Sequence, residues 1–128
     1  RQLLDDMAET MYAADGVGLA APQVGKSLRI VVIDVQDEHG LLELVNPVIT
    51  MREGSVTESE GCLSVPKVYG DVERAERVTV EYTDRRSRRR TLTAEGLLAR
   101  CIQHECDHLE GRLFIDIAVR LRKGEEEE

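Results

Sequence analysis

The 128-residue sequence predicts an α+β fold in which antiparallel β-sheets pack around a central helix carrying an H-E-x-x-H metal motif, with a second helix at the N-terminus. Three observations predict it. Helical periodicity occurs near the two ends of the chain, the stretch between is β-branched or alternates with period two, and strands and helices do not alternate as a parallel sheet would require. The length suits one domain, so residues 1–124 read as a single domain and 125–128, four glutamates, as a solvated acidic tail.

In chain order, residues 1–14 set Leu3, Leu4, Met7 and Met11 at helical spacing between Asp5, Asp6 and Glu9, an amphipathic helix that should stop at Asp15-Gly16. A Gly-Val-Gly turn and Ala20-Ala21-Pro22-Gln23 follow. Residues 29–35 (RIVVIDV) read as a strand covered on both faces. The polar residues 37–40 turn the chain into an antiparallel partner at 41–45, which Asn46-Pro47 should break before extended structure resumes at 48–51. Acidic residues 53–61 lead to Cys62, and Pro66 should stop the short apolar piece after it. Residues 77–83 alternate Val78, Val80 and Tyr82 with polar neighbours, a half-buried strand joined to Thr91-Leu92-Thr93 by a hairpin tip at Arg85–Arg90. Thr93 is placed to cap a helix over 94–109, with Gly111 as its stop. Residues 113–119 read as a closing strand, and Lys123-Gly124 as the start of the tail.

Composition excludes several classes. No apolar run approaches the roughly 20 residues of a membrane helix. A net charge of −8 argues against stable nucleic-acid binding, which needs clustered Lys and Arg free of surrounding acid. The Arg85–Arg90 run is expected to be a solvated tip balanced by nearby acids, with a ribosome or RNA contact as the alternative. Three cysteines, Cys62, Cys101 and Cys106, do not form a disulfide framework and point to a reducing compartment. The chain opens at Arg1 already inside a helical pattern, so a segment is expected upstream.

The chemistry concentrates in His104-Glu105-Cys106-Asp107-His108. Residues four apart on a helix lie one above the other, so His104 and His108 can turn two imidazoles to one ion while Glu105, one step round, faces its open position. The pattern is short and recurs by chance, so it needs companions. Glu60-Gly61-Cys62-Leu63-Ser64 offers one: Cys62 is either a thiolate ligand for a borderline metal or a small buried apolar residue. Gly16-Val17-Gly18-Leu19-Ala20-Ala21-Pro22-Gln23 is another, and it is not a dinucleotide loop because no strand precedes it. Asp107 should face away from the metal as an anchoring carboxylate, paired with Arg74. His39 reads as a surface residue.

These three stretches resemble, in order, the signature motifs of the peptide deformylases, G-x-G-x-A-A-x-Q, E-G-C-x-S and H-E-x-D-H, and the resemblance runs from about Leu4 to Ile117. It implies metal ligands Cys62, His104 and His108, with Glu105 as general base and then acid. It also implies that the Gln23 side-chain amide and the Leu63 N–H stabilise an oxyanion. The implied reaction is removal of the formyl group from the formyl-methionine end of a nascent polypeptide, with release of formate. Val17, Leu97 and Cys101 would wall the methionine pocket with Glu60 and Gly61 nearby, and Val17 and Gly18 would pair with the peptide as an added strand. Cys101 and Cys106 need no catalytic role. One divalent ion is implied, Fe(II) natively, with Zn, Ni or Co accepted by the same donors. The partners implied are formylated nascent chains and a transient ribosome contact, in a bacterial cytoplasm; an organellar location stays open because the N-terminus reads as incomplete. The family's basic C-terminal helix has no counterpart in Lys123-Gly124 and the glutamates, so docking on rRNA by that route is not expected. A non-catalytic binder of blocked N-termini would need neither Glu105 nor Gln23, and a zinc endopeptidase would rarely use a cysteine ligand.

Overall fold

The computed structural model describes residues 2–14, 16–62, 65–110 and 120–123. Helix α1 (Gln2–Ala13) forms where the apolar spacing predicts it and buries Leu4, Met7, Ala8 and Met11. Its end is closed by the Gly16 N–H, which donates to the Met11 carbonyl at 3.0 Å. The next residues are not a bare turn. They form a short strand, β1 (Gly18–Ala20), and a 3-10 helix (Ala21–Val24) closed by Gly25 at φ 81°.

β1, β2 (Ile30–Ile33), β3 (Leu42–Glu53), β6 (Arg77–Thr83) and β7 (Arg89–Glu95) make a five-stranded antiparallel sheet in the order β1-β2-β3-β6-β7. β4 (Val56–Cys62), β5 (Val65–Arg74) and β8 (Arg120–Lys123) make a second, in the order β4-β5-β8. β2 is covered on both faces, as its unbroken apolar run predicts. Val31 and Ile33 join the core shared with helix α2 (Gly96–Leu109), while Ile30 and Val32 pack with α1. Val31, Val32 and Ile33 are fully buried, each contributing about 1.5–3 kcal/mol of transfer free energy.

Helix α2 lies against both sheets by different chemistry. Leu98, Ala99, Cys101 and Ile102 pack into the apolar core of the five-stranded sheet. Toward the three-stranded sheet the contacts are polar and buried. Arg100 donates to the carbonyls of Val56 (3.2 Å), Glu58 (2.8 Å) and Val72. Gln103 both accepts from the Ala75 N–H (2.9 Å) and donates to the Ala75 carbonyl (2.8 Å), and Arg74 pairs with Asp107.

The structure corrects several expectations. Asn46-Pro47 does not break β3, because a register shift between Val45 and Val48, with Asn46 at φ 52°, takes the proline out of the ladder. Residues 53–61, given no element by their sequence, lead to Cys62 largely as strand β4, whose carbonyls receive Arg100. Pro66 does not stop the chain: the pairing jumps from Gly61↔Tyr69 to Cys62↔Val65, leaving Pro66 outside the β4 ladder but inside β5. Thr93 is not a cap. Period-two alternation continues through Ala94, which pairs with Val78, and the helix starts only at Gly96, where the chain turns at φ 63°. The hairpin tip is shorter than expected, because Arg89 and Arg90 belong to β7, and Lys123 is strand rather than tail. The expected closing strand at 113–119, the Gly111 stop and the glutamate tail lie outside the described residues. Among the described residues no helix is long and apolar enough to cross a membrane.

Candidate active site

At 3.6 residues per turn, α2 presents separate stripes. Leu98, Ile102 and Glu105 lie on the side of the five-stranded sheet, and Arg100, Gln103 and Asp107 on the side of the three-stranded one. Leu97, Cys101, His104 and His108 occupy the flank between them. The sequence spacing that marks these four as one stripe therefore places them at the seam of the two sheets.

The His104 and His108 rings sit 5.1 Å apart between centroids, inclined at 64°. His108 is buried and His104 half-buried. Glu105 is 6% exposed, and its carboxylate lies against β1: a Cβ built on Gly18 would stand 2.7 Å from Glu105 Oε2. Two imidazoles in ring contact and, on the same helix, a buried carboxylate against an edge strand thus occupy neighbouring positions of α2.

That edge is polar in a defined way. The Asp34 N–H donates to the Val17 carbonyl at 2.8 Å, and Gly18 faces Ile33 in the register. Hydrogen-bonded and non-bonded pairs alternate along an antiparallel ladder, so Val17 turns its carbonyl toward β2 while Gly18 directs its N–H and C=O to the open edge. The backbone expected from Val17 and Gly18 together is therefore turned outward at Gly18. Val17 contributes a 42% exposed side chain.

Two residues further on, the Ala20 N–H is taken by Gln23 Oε1 at 2.8 Å. This bond fixes which end of the amide is which: the oxygen is anchored on β1 and the opposite end is the NH2, a donor. Of the pocket residues, Leu97 is 57% exposed in the first turn of α2, whereas Cys101 is 8% exposed and shares the apolar core. Glu60, Gly61 and Cys62 are the last three residues of β4, with a register shift between Gly61 and Cys62; bulges commonly occur where a strand must re-aim a residue. Leu63 lies outside the described residues.

Around the site, Asp107 pairs with Arg74 as the sequence suggested, and both side chains are largely buried. Burial pushes the Cys106 thiol up to about 12, which keeps it protonated at neutral pH. Arg100 and Gln103 were not anticipated as part of the site's frame. Their signal was present: with Asp107 they form a polar i, i+3, i+7 stripe on a helix whose neighbouring stripe is apolar. His39 is exposed as expected; its backbone N–H and ring nitrogen engage Asp37 at 2.9 and 3.1 Å, and hydrogen bonding from the His39 backbone holds the Asp37 carboxyl below its usual range.

A helix bearing two imidazoles and a buried carboxylate between two antiparallel sheets is the arrangement expected of a hydrolase of the H-E-x-x-H class. The chain matches the family model described as polypeptide deformylase over residues 1–124. It is 57% identical over 122 residues to a peptide deformylase of Pelotomaculum thermopropionicum, covering 95% of this chain and 77% of that relative. Another, from Caldicellulosiruptor bescii, is 56% identical over 125 residues, 98% and 74% of the two chains. The chain thus spans about three quarters of the length of these curated relatives. Among solved structures it matches the Thermotoga maritima peptide deformylase with a TM-score of 0.88 at 43% identity, covering 91% of this chain and 79% of that one. It also matches a Synechococcus elongatus peptide deformylase in complex with actinonin, with a TM-score of 0.88 at 53% identity, covering 92% and 66%. The chain belongs to the polypeptide deformylase family, metal-dependent enzymes that deformylate nascent polypeptides.

Proposed function

We propose that this chain carries out the family's reaction at the seam flank of α2, hydrolysing the formyl amide of an N-formyl-methionyl peptide to release formate. The observation that carries the reading is the contact of the His104 and His108 rings on the helix whose buried Glu105 carboxylate lies against the edge strand at Gly18. We read residues 1–124 as the single catalytic domain, supported by the span of the family match.

The donor set fits one divalent ion. Two adjacent imidazoles supply neutral nitrogen donors, and we assign Cys62 as the thiolate third ligand, at the end of a strand that Arg100 ties to the same helix. We assign Fe(II) as the native ion on the family resemblance, with Zn, Ni or Co accepted by the same ligands. Such an ion, when bound, supplies an acidified water and a Lewis-acid contact for the carbonyl oxygen.

The remaining work falls to the chain's own groups. Glu105 takes a proton from the attacking water on a carboxylate oxygen and returns it to the departing amine nitrogen. The NH2 of Gln23, oriented by the Ala20 N–H, donates to the oxyanion together with the Leu63 N–H. The peptide lies along the β1 edge and pairs with the outward backbone of Gly18. Val17, Leu97 and Cys101 wall the methionine side chain, with Glu60 and Gly61 at the facing end of β4.

The partner is the formylated nascent chain, met through a transient ribosome contact in the bacterial cytoplasm; the bacterial relatives support the location. Docking through the arginine hairpin finds little support in the structure. Arg85 pairs with Glu43 and Asp5, Arg88 and Arg90 pair with Asp84, and Arg89 with Glu81.

The test is anaerobic purification, metal quantification and an assay of formate release from formyl-Met-Ala-Ser. A fully metallated protein releases formate with turnover. A fully metallated protein that binds the peptide and releases none would make it a binder of blocked N-termini instead.

A further inference from the structure

We infer that Gly18 is a positioning residue for Glu105: the missing side chain at this point of β1 is the space in which the Glu105 carboxylate is seated. The inference rests on the reading of Glu105 as the base, and adds a requirement that reading does not contain.

A glycine inside a strand weakens it and needs a local reason. At Gly25, Gly40, Gly54 and Gly96 the reason is a left-handed backbone, with φ between 63° and 81°. Gly18 is not among these positive-φ glycines, so its backbone conformation is open to other residues. What excludes them is space. An ideal Cβ at Gly18 would lie 2.7 Å from Oε2, 3.0 Å from Cγ and 3.1 Å from Cδ of Glu105.

Rotating the terminal carboxylate relieves the contact with Oε2, but Cγ and Cδ stay at separations tighter than ordinary van der Waals contact, so the side chain also has to give by a few tenths of an ångström. Glu105 is 6% exposed, so a displaced side chain has to be accommodated among packed neighbours. The strand direction agrees. Ala20, two residues on, shares the α2-facing core with Val31 and Ile33, whereas Leu19 packs with α1. A side chain at 18 would therefore point to α2, at the level of Glu105.

The same glycine turns its N–H and C=O to the substrate edge. β1 thus sets the peptide's register and the position of the base from one residue, which fixes the distance between them. A side chain at 18 leaves the backbone edge intact and moves the carboxylate, so it should affect the chemical step more than binding.

The test is a double-mutant cycle between Gly18→Ala and Glu105→Asp, whose carboxylate is one methylene shorter. The inference expects Gly18→Ala alone to lower kcat about tenfold or more with KM within about twofold, and to cost less than about twofold when added to Glu105→Asp. Equal losses in the two backgrounds, an unchanged kcat, or a loss confined to KM would overturn it. Should Gly18→Ala fold poorly, thermal melts of the cycle with Glu105→Ala decide instead. Gly18→Ala should lower Tm in the wild-type background and not in the Glu105→Ala background, and equal drops would overturn the inference. The melts do not depend on activity, so if Glu105→Gln proves fully active the base assignment fails while the seating claim is still decided.

Discussion

At Gln23 a single part-buried contact orients the side chain for which a donor role is proposed. Its Oε1 is held by the Ala20 N–H at 2.8 Å, so the amide cannot flip without losing that bond, and its donor end has a fixed direction. Removing one oxyanion donor typically costs about 3 kcal/mol of transition-state stabilisation. Gln23→Ala is therefore expected to lower kcat about a hundredfold or more with little change in metal content, measured by formate release and metal analysis. Cys106 makes the opposite case. Two positions from each histidine, it could be mistaken for a reactive group, yet burial and the neighbouring Asp107 push its thiol up to about 12. Cys106 should resist alkylation by iodoacetamide at pH 8 in the folded protein and react on denaturation, as mass spectrometry of the labelled peptide would show. Rapid labelling of the native thiol would contradict this.

Among the elements, helix α2 depends on an ion pair that is almost fully enclosed on the arginine side. Arg74 and Asp107 have side-chain exposures of 5% and 19%, and breaking a buried pair from one side typically costs about 3–5 kcal/mol. Asp107→Ala is expected to lower Tm by several degrees, and Arg74→Met combined with Asp107→Leu to recover part of the loss. The β6–β7 hairpin is held by Asp84, whose carboxylate accepts the N–H groups of Arg88 (3.0 Å) and Arg86 (2.9 Å) and is pulled down to about 2, with the Arg88 N–H as the largest cause. The folded carboxyl is more acidic than the unfolded one, so its contribution is present above about pH 4 and is lost as pH falls toward 2. Amide exchange at Arg86 and Arg88 should accelerate over that window beyond the intrinsic pH trend, and an Asp84→Asn protein should lack the step. Element legibility followed the balance of local and distant causes. α1, β2 and β6 carry their own periodicity and form where it predicts. β4 and β5 do not, because what makes acidic residues 56–62 a strand is the pairing with β5 and an arginine more than 40 positions away. Ala94 and Glu95 were misread because helix and strand both accept them, and the pairing with β6 decided the outcome.

For the whole molecule, the site is drawn from widely separated segments: the β1 edge, the seam flank of α2 and, in the proposed ligand set, the end of β4. The motif residues were legible because helix geometry and ligand chemistry restrict which residue types can stand there. What spacing could not show was the frame: that Arg100 and Gln103 tie α2 to the second sheet, or that Gly18 stands against Glu105. Those relations belong to the packing of two sheets on one helix. The central claim is that Glu105 moves the proton while other residues hold the metal. It is tested most directly by purifying the Glu105→Gln protein anaerobically beside the wild type, then measuring bound metal and formate release from formyl-Met-Ala-Ser on the same samples. The account predicts an unchanged metal content with turnover reduced by about a hundredfold or more. A metallated Glu105→Gln protein that turns over at the wild-type rate would contradict it.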